Sequence, residues 1–287
     1  MRIGALEAGG TKMVMGIFDE EGHLLENTKI PTWTPEKTLP EVTAYFREQG
    51  AEKLGIGTFG PVDLREDSPS FGSITTTPKL DWRNYPLLSE LQESLGIPCF
   101  IETNANAAAL AECRLGAARG CNSAVYVTVG TGIGGGLFVN GKPVHGLMHP
   151  EVGHMLLRPN PMDPMPQGIC PYHESCLEGL ASGLALEKRA GTRAENLPDE
   201  DPVFTLEAEY LAQMCVNLIT VLSPEKIILG GGVMRREGLL DRIRKETVRL
   251  LGGYIPVPEV TARIDSYLVL PELYPISVLL GAWLLAR

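Results

Sequence analysis

The sequence predicts an α/β protein of two related lobes, and two observations support this fold class. Three strands joined by tight turns come first, and helices then alternate with strands up to residue 115. Near residue 123 the same order restarts with a strand, a glycine-rich turn and a second strand. The length of 287 residues is sufficient for two domains. A coincidence between two glycine turns is the alternative explanation of the repeat.

The first half begins with three strands, predicted at Ile3–Glu7, Met13–Phe18 and Leu24–Ile30 from apolar runs bounded by glycine-containing turns. A helix follows, for which Thr34 supplies the N-cap and Pro35 the first position. The remaining elements alternate: strands at Leu54–Thr58 and Ile97–Glu102, and helices at Leu87–Leu95 and Ala105–Leu115, the last with Asn104 as its N-cap.

The second half repeats the hairpin, with strands at Ala124–Val129 and Leu137–Val139 around a glycine turn at Gly130–Gly136. Residues 158–176 are rich in proline and are predicted to be irregular. Four helices and a buried strand complete the chain: helices at Leu177–Arg189, Phe204–Leu222, Val233–Leu251 and Pro275–Ala286, and the strand Ile227–Leu229. Because no low-complexity linker separates the halves, we expect them to pack closely around a cleft.

Composition and charge exclude several classes of protein. A net charge of −10 argues against a nucleic-acid-binding protein, which needs a basic face. No apolar run of 18 residues occurs, so no transmembrane helix is predicted. Residues 1–8 lead directly into two glycines without a signal-peptide cleavage site. We therefore expect a cytoplasmic protein without a membrane partner, in which the six cysteines are reduced.

Three glycine-rich segments follow strands and suit the binding of phosphate groups. In the segment 7–12, two glycines let backbone N–H groups approach an anion, beside a threonine hydroxyl and a lysine charge. The segment Gly130–Gly136 contains the spacing G-x-G-x-x-G, but a strand follows it, so we reject a dinucleotide-binding fold. The segment Gly230–Gly232 is predicted to open a helix, whose N-terminus would suit a phosphate or nucleoside. An ordinary tight turn is the alternative for each segment.

A metal site is predicted from His154 and the run Cys170-Pro-Tyr-His173-Glu-Ser-Cys176. Two thiolates and two imidazoles suit tetrahedral zinc, and a site closed by four protein ligands is structural rather than catalytic. Two buried thiols beside two surface histidines would be the alternative. The other four cysteines are expected to be small buried hydrophobic residues: Cys99, Cys113, Cys121 and Cys215.

Polar side chains cluster after predicted strand ends, in residues 102–106, in residues 149–154 and at Glu178. Carboxylates and amides in such places suit the recognition of vicinal hydroxyl groups by paired hydrogen bonds. Together with the glycine segments and the cysteine–histidine run, they resemble the ROK family of sugar kinases. Residues 7–12 are similar to the first phosphate motif of that family, which usually has Asp where Glu7 stands. This glutamate, and His173 in place of a usual cysteine, resemble the bacterial fructokinase branch.

The resemblance implies an actin-like, ribonuclease-H-like ATPase fold with two lobes around a cleft. Residues 1–115 would form the N-terminal lobe, with a C-terminal helix at about 272–287 packing back on it. Residues 116–271 would form the C-terminal lobe. The implied reaction moves the γ-phosphoryl group of ATP, bound with Mg²⁺, to the 6-hydroxyl of fructose. Members of the family are usually homodimers.

The resemblance also implies roles for individual residues. The implied sugar contacts are Gly60, Asn106, Glu151, His154 and Glu178. The implied ATP contacts are Gly9, Gly10, Thr11, Lys12, Thr131, Gly132, Gly230, Gly231 and Gly232. The implied structural zinc ligands are those predicted above: His154, Cys170, His173 and Cys176.

Asn104 departs from the family pattern. Family members carry Asp at this position, and that carboxylate takes the proton from the attacking hydroxyl. A neutral amide cannot accept this proton at pH 7, and the loss of a general base lowers rates by about 10²–10⁴. The sequence is therefore compatible with an inactivated variant, a naturally weak enzyme, or a sugar- and ATP-binding protein without catalysis.

Other members of the family provide further alternatives. Kinases for glucose, mannose or N-acetyl hexosamines usually have Asn where Thr103 stands, which favours fructose here. Repressors of the family need an N-terminal helix-turn-helix. The phosphate motif begins near residue 3 in this chain, so we do not expect a repressor.

Overall fold

The computed structural model describes residues 1–287 and contains ten strands and nine α-helices. The strands are β1 (Ile3–Ala8), β2 (Lys12–Phe18), β3 (Leu24–Pro31), β4 (Lys53–Thr58), β5 (Cys99–Thr103), β6 (Ala124–Val129), β7 (Ile133–Val139), β8 (Lys142–Pro143), β9 (Lys226–Gly230) and β10 (Leu268–Val269). The helices are α1 (Pro35–Glu48), α2 (Leu87–Leu95), α3 (Asn104–Arg114), α4 (Leu177–Ala181), α5 (Gly183–Ala190), α6 (Val203–Leu222), α7 (Leu239–Leu251), α8 (Ile264–Tyr267) and α9 (Ser277–Ala286). None of these helices has both the length and the apolar character that crossing a bilayer requires.

The strands form two five-stranded sheets with the same layout. The first sheet has the order β3-β2-β1-β4-β5, and the second has the order β8-β7-β6-β9-β10. In each sheet the first three strands along the chain pair in antiparallel fashion. The fourth strand of each sheet then pairs in parallel with the first, and the fifth pairs in parallel with the fourth. This shared layout matches the predicted repeat and places one glycine turn at the tip of each leading hairpin.

Helices cover both faces of the first sheet. On one face, α1 and α2 pack against β1 and β4 through a core that includes Phe46 and Leu91. On the other face lie α3 and α9, with Trp283 buried against Phe18. The approach of α9 is close, because a Cβ atom at Gly55 would lie 1.7 Å from the carbonyl oxygen of Ala282.

The helix α3 packs on both sheets and joins them. Its Ala107 lies 3.2 Å from where a Cβ atom of Gly57 would stand in β4. The carbonyl oxygen of Ala105 would be 2.2 Å from a Cβ atom at Gly136, in β7 of the second sheet. The division after residue 115 remains a prediction, because α3 contributes to the packing on both sides of it. A separate core beneath the second sheet includes Tyr210 and Ile243 from α6 and α7.

The structure corrects four predicted boundaries. Thr103, and not Asn104, is the N-cap of α3, and its Oγ1 accepts a hydrogen bond from the backbone N–H of Asn106. The glycines of 134–136 belong to β7, so the second turn comprises only residues 130–132. The helix predicted at 177–189 is broken at Ser182 into α4 and α5. Gly230–Gly232 leads into a single 3₁₀ turn at 233–235, and α7 begins only at Leu239, so no α-helix N-terminus follows this glycine segment directly.

Candidate active site

The first glycine turn connects β1 and β2 and has no room for a side chain at Gly9. A Cβ atom there would lie 2.6 Å from the carbonyl oxygen of Lys12, which accepts a 3.0 Å hydrogen bond from the Gly9 N–H. Thr32, at the end of β3, holds the turn by donating its hydroxyl to the Gly9 carbonyl and its N–H to the Thr11 carbonyl. The side chains of Thr11 and Lys12 are exposed. This turn therefore presents a fixed backbone, a hydroxyl and a cation to the solvent.

The second glycine turn and the third glycine segment lie side by side. Gly130 closes the second turn by donating its N–H to the Gly132 carbonyl over 2.9 Å. Gly231 has a φ of +93°, and a Cβ atom there would be 2.3 Å from the carbonyl oxygen of Val129, the residue just before that turn. Thr131 is exposed at the tip. The geometry thus brings these two predicted nucleotide segments together.

The first turn of α3 lies between the two sheets, beneath both glycine turns. The Cα of Asn104 would stand 3.4 Å from a Cβ atom at Gly57 in the first sheet. The next residue, Ala105, contacts Gly134 and Gly136 in the second hairpin. Because glycines occupy these contact positions, the helix terminus fits between the sheets. Asn104 is half-buried, and its side chain makes no hydrogen bond within the protein.

Two further segments each bring a carboxylate to a glycine, Glu151 to Gly60 and Glu178 to Gly132. A Cβ atom at Gly60 would be 3.5 Å from Oε1 of Glu151. Burial, reinforced by the negative charge of Glu178, raises the pKa of Glu151 to about 7. Glu178 is fixed at the second turn, because its Oε2 accepts a 2.8 Å hydrogen bond from the Ile133 N–H. A Cβ atom at Gly132 would lie 2.5 Å from the same oxygen. The structure thus places Glu151 beside Gly60 and Glu178 beside Gly132, and the sugar contacts of these residues stay predictions.

Asn106 is completely buried, unlike the other predicted sugar contacts. Its Nδ2 donates to Oε1 of Glu102 over 3.0 Å, and its Oδ1 has no partner. The surrounding helix and strand cover this side chain, which holds Glu102. The sugar contact of Asn106 stays a prediction.

Two histidines of the loop that follows β8 contact the first half of the chain. His145 Nε2 lies 2.6 Å from Oε2 of Glu102, and this carboxylate raises the pKa of the imidazole. His149 Nε2 accepts a 3.1 Å hydrogen bond from the Val62 N–H. Its Nδ1 lies 3.5 Å from Oε1 of Glu151, and burial lowers the pKa of this histidine. The neutral ring of His149 therefore connects the segment after β4 with the predicted sugar carboxylate.

The four predicted metal ligands converge. The donor atoms of His154, Cys170, His173 and Cys176 all lie within 4.8 Å of one another. The distances from Cys170 Sγ to Nδ1 of His173 and His154 are 3.6 and 3.8 Å. Tetrahedral zinc, with Zn–S near 2.3 Å and Zn–N near 2.05 Å, would require S···N edges of about 3.6 Å. The donor set and its spacing therefore fit zinc.

The sequence matches the ROK family over residues 3–287. The chain belongs to the ROK family. The fructokinase of Zymomonas mobilis subsp. mobilis is 41% identical over 291 residues, covering 99% of this chain and 95% of that protein. The fructokinase of Pediococcus pentosaceus is 40% identical over 287 residues, covering 100% of this chain and 98% of that protein.

A solved structure extends the similarity to the fold. It is the crystal structure of a ROK family glucokinase from Streptomyces griseus in complex with glucose and AMPPNP. Its TM-score is 0.81 at 29% identity, and the match covers 100% of this chain and 99% of that one. The predicted ROK membership and the actin-like ATPase fold of ROK kinases are confirmed.

The structure of this ROK protein adds two residues that the sequence analysis missed. Lys79 Nζ donates to the Thr32 carbonyl over 3.2 Å, and its Cε lies 3.9 Å from where a Cβ atom of Gly10 would stand. Lys79 therefore adds a second cation, beside Lys12, at the first glycine turn. His145 was missed as well. Neither residue lies in a motif with a recognisable spacing, and only folding brings each one to the site.

Proposed function

We propose that this ROK protein transfers the γ-phosphoryl group of ATP to the 6-hydroxyl of fructose, giving fructose 6-phosphate. The observation that carries the proposal is the identity of 40–41% to fructokinases over nearly the whole chain. The glucokinase structure is more distant, at 29% identity. The enzyme is a phosphotransferase that acts on an alcohol group.

Backbone groups at the glycine turns support the binding of a nucleotide triphosphate. At Gly9, Gly132 and Gly231 a Cβ atom would lie within 2.6 Å of a fixed oxygen, so these positions keep the backbone accessible at close range. We assign phosphate contacts to Gly9–Lys12 and to Thr131 and Gly132, and nucleotide contacts to Gly230–Gly232. Lys12 and Lys79 would supplement the charge of the Mg²⁺ that accompanies ATP. Phosphoryl transfer depends mainly on such positioning and charge stabilisation.

Residues around the convergence of Glu151 and Glu178 support sugar recognition. We assign hydroxyl contacts to these two carboxylates, to the backbone at Gly60 and to His154. The hydroxyl of Thr103 accepts the N-cap hydrogen bond of α3. Thr103 has no amide group, whereas the branches specific for other hexoses usually have Asn at this position. This difference supports fructose over glucose, mannose and N-acetyl hexosamines.

Asn104 supports a second candidate, a protein that binds sugar and ATP without turning them over. Its amide occupies the general-base position of the family and cannot accept a proton at neutral pH. If the remaining site is intact, we expect turnover about 10²–10⁴ times slower than in an enzyme with a carboxylate at this position.

The decisive experiment measures fructose phosphorylation with ATP–Mg²⁺ for this chain and for the Asn104→Asp variant, which is nearly isosteric. We expect turnover in the parent and a higher rate in the variant, by at most about 10⁴-fold. A panel with glucose, mannose and N-acetyl hexosamines should show a preference for fructose. Binding of sugar and ATP without turnover in either protein would support the non-catalytic candidate and overturn the kinase proposal.

The proposal includes a structural zinc ion held by the four converging ligands. Zinc would tie the segment before Met155 to the start of α4, the elements that carry Glu151 and Glu178. Its contribution would be rigidity, because all four positions of the tetrahedron are filled by protein. A homodimer in the cytoplasm completes the proposal, and sedimentation velocity tests the dimer.

A further inference from the structure

Glu7 lies in a row of residues that crosses the first sheet. In the parallel register of β1, β4 and β5, Glu7 pairs with Gly57, and Gly57 pairs with Glu102. Side chains of paired residues in a parallel sheet point to the same face. Ile3 and Ala5 of β1 pack against α3 and α9, so the alternation along β1 directs Glu7 to that face as well.

Gly57 leaves a gap in the middle of this row, which is filled by Val278 of α9, by Ala107 and by the backbone of Asn104. The Cα of Asn104 would lie 3.4 Å from a Cβ atom at Gly57. Neighbouring strands are about 4.8 Å apart, so the backbones of Glu7 and Glu102 stand on the two sides of the gap at about that spacing. Residue 104 therefore lies over the strand between the two strands that carry Glu7 and Glu102.

The two flanking carboxylates differ in their hydrogen bonds. Glu102 is buried, and it accepts hydrogen bonds from the Thr103 N–H, the Asn106 amide and His145. Its oxygens are thus committed to the protein. Glu7 accepts no hydrogen bond in the structure and is only partly buried. Burial raises the pKa of Glu7, and the charge of Lys12 opposes that rise.

We propose that Glu7 accepts the proton of the attacking fructose hydroxyl in this chain, in place of the amide at position 104. The inference rests on the proposed function, since it concerns the same transfer. The O–H bond of the sugar breaks and its proton goes to a carboxylate oxygen of Glu7. The sugar oxygen forms a bond to the γ-phosphorus, and the bond from that phosphorus to the bridging oxygen breaks. ADP leaves with the electron pair, and Glu7 then returns its proton to solvent.

Two features of the sequence bear on this interpretation. Glutamate stands at residue 7, as in the fructokinase branch that the motif resembles, so a carboxylate is carried by the strand beside Gly57. Asparagine replaces the usual aspartate at residue 104, which removes the competing base and its negative charge. Glu7 then remains as a carboxyl group without a hydrogen bond on this face of the first sheet.

The test compares Glu7→Gln in the parent and in the Asn104→Asp protein. If Glu7 is the base, Glu7→Gln lowers kcat of the parent by about 100-fold or more, with the KM for fructose and ATP little changed. In the Asn104→Asp background, where residue 104 supplies the carboxylate, the same change lowers kcat less than about fivefold. Glu48→Gln, at an exposed position at the end of α1, serves as the matched control.

Each other result overturns the assignment. An equal loss in both backgrounds, especially with a raised KM for ATP, would place Glu7 in nucleotide binding. Turnover in Asn104→Asp together with none in the parent would show that Glu7 cannot replace the missing base, while the proposed function would stand. Absence of turnover in both proteins would overturn the proposed function together with this inference.

Discussion

Loss of Cys170 from the proposed zinc site is expected to release the metal and to loosen the segments that carry Glu151 and Glu178. His154 and Cys176 are 22 residues apart in sequence, and their donor atoms lie 3.8 Å apart. Closing a loop of that length restricts the unfolded chain by about 3 kcal/mol. For a chain of this size each kcal/mol corresponds to about 2–4 °C, so the zinc-free protein should unfold about 6–12 °C lower. The sites of Glu151 and Glu178 adjoin this loop.

The assay combines metal analysis, thermal unfolding and kinetics on Cys170→Ser. The parent, purified without chelator, should contain about one zinc per chain, and the variant much less. The KM for fructose should rise about tenfold in the variant, since supporting residues around metal sites have effects of this size. Cys121→Ser is the matched control, because Cys121 is also half-buried and lies outside the cluster. Less than about half an equivalent of zinc in the parent, or an equal loss of stability in Cys121→Ser, would refute the reasoning.

Three further predictions address packing, protonation and the first phosphate turn. Gly136→Ala should lower the free energy of unfolding in urea by about 1–3 kcal/mol, because a Cβ atom at residue 136 would lie 2.2 Å from the carbonyl oxygen of Ala105. Gly134→Ala should be tolerated, because the nearest atoms to a Cβ atom at residue 134 are 3.6 Å away. The pKa of Glu151 is about 7 in the fold, against an ordinary 4.5. The stability that the protonated Glu151 gives to the fold is therefore fully present below pH 4.5 and is lost as the pH rises through 7. The free energy of unfolding of Glu151→Gln, relative to that of the parent, should therefore increase by about 1–2 kcal/mol as the pH rises from 5.5 to 8.5. This energy is reduced to allow for the partial exposure of the side chain. A difference in unfolding free energy that does not change with pH would contradict this sign. Lys79→Met should raise the KM for ATP about tenfold, as expected for the loss of one charge-assisted phosphate contact, and should leave the KM for fructose unchanged. Lys37, an exposed lysine of α1, provides the control. An equal rise in the KM for ATP in Lys37→Met would exclude a specific role for Lys79.

The local pattern of the sequence was sufficient for most of the fold and for the metal ligands. The hairpins, the alternation that follows them and the spacing of the cysteine–histidine run are short-range signals, and each is present in the structure. The extent of the second turn could not be predicted in this way. Gly134–Gly136 resembles a turn in composition, but these glycines are required because α3 packs directly against β7. Only the tertiary contact distinguishes a strand that must lack side chains from a flexible turn.

Contacts between distant segments were also beyond the sequence. Thr103 and Asn104 are both good N-caps, and the choice depends on where β5 ends against Thr58 of β4. The burial of Asn106 depends on Glu102, whose other oxygen faces His145 from a loop more than 40 residues away. No spacing rule connects these residues, because the two sheets have to pack before they meet.

The position of α3 explains why residue 104 is sensitive to both sheets. Gly57 contacts one side of the helix terminus and Gly136 contacts the other, and a Cβ atom at Gly136 would lie 2.2 Å from the carbonyl oxygen of Ala105. A rotation of one sheet relative to the other must therefore move Asn104 relative to at least one glycine turn. In such an arrangement, the distance between the proton acceptor and the phosphate changes with the angle between the sheets. A base on β1, such as Glu7, moves with the first phosphate turn instead, because both belong to the same hairpin. Glu7 would therefore keep its distance from the first turn when the lobes move, whereas a carboxylate at residue 104 would be aligned only when both sheets have closed on α3.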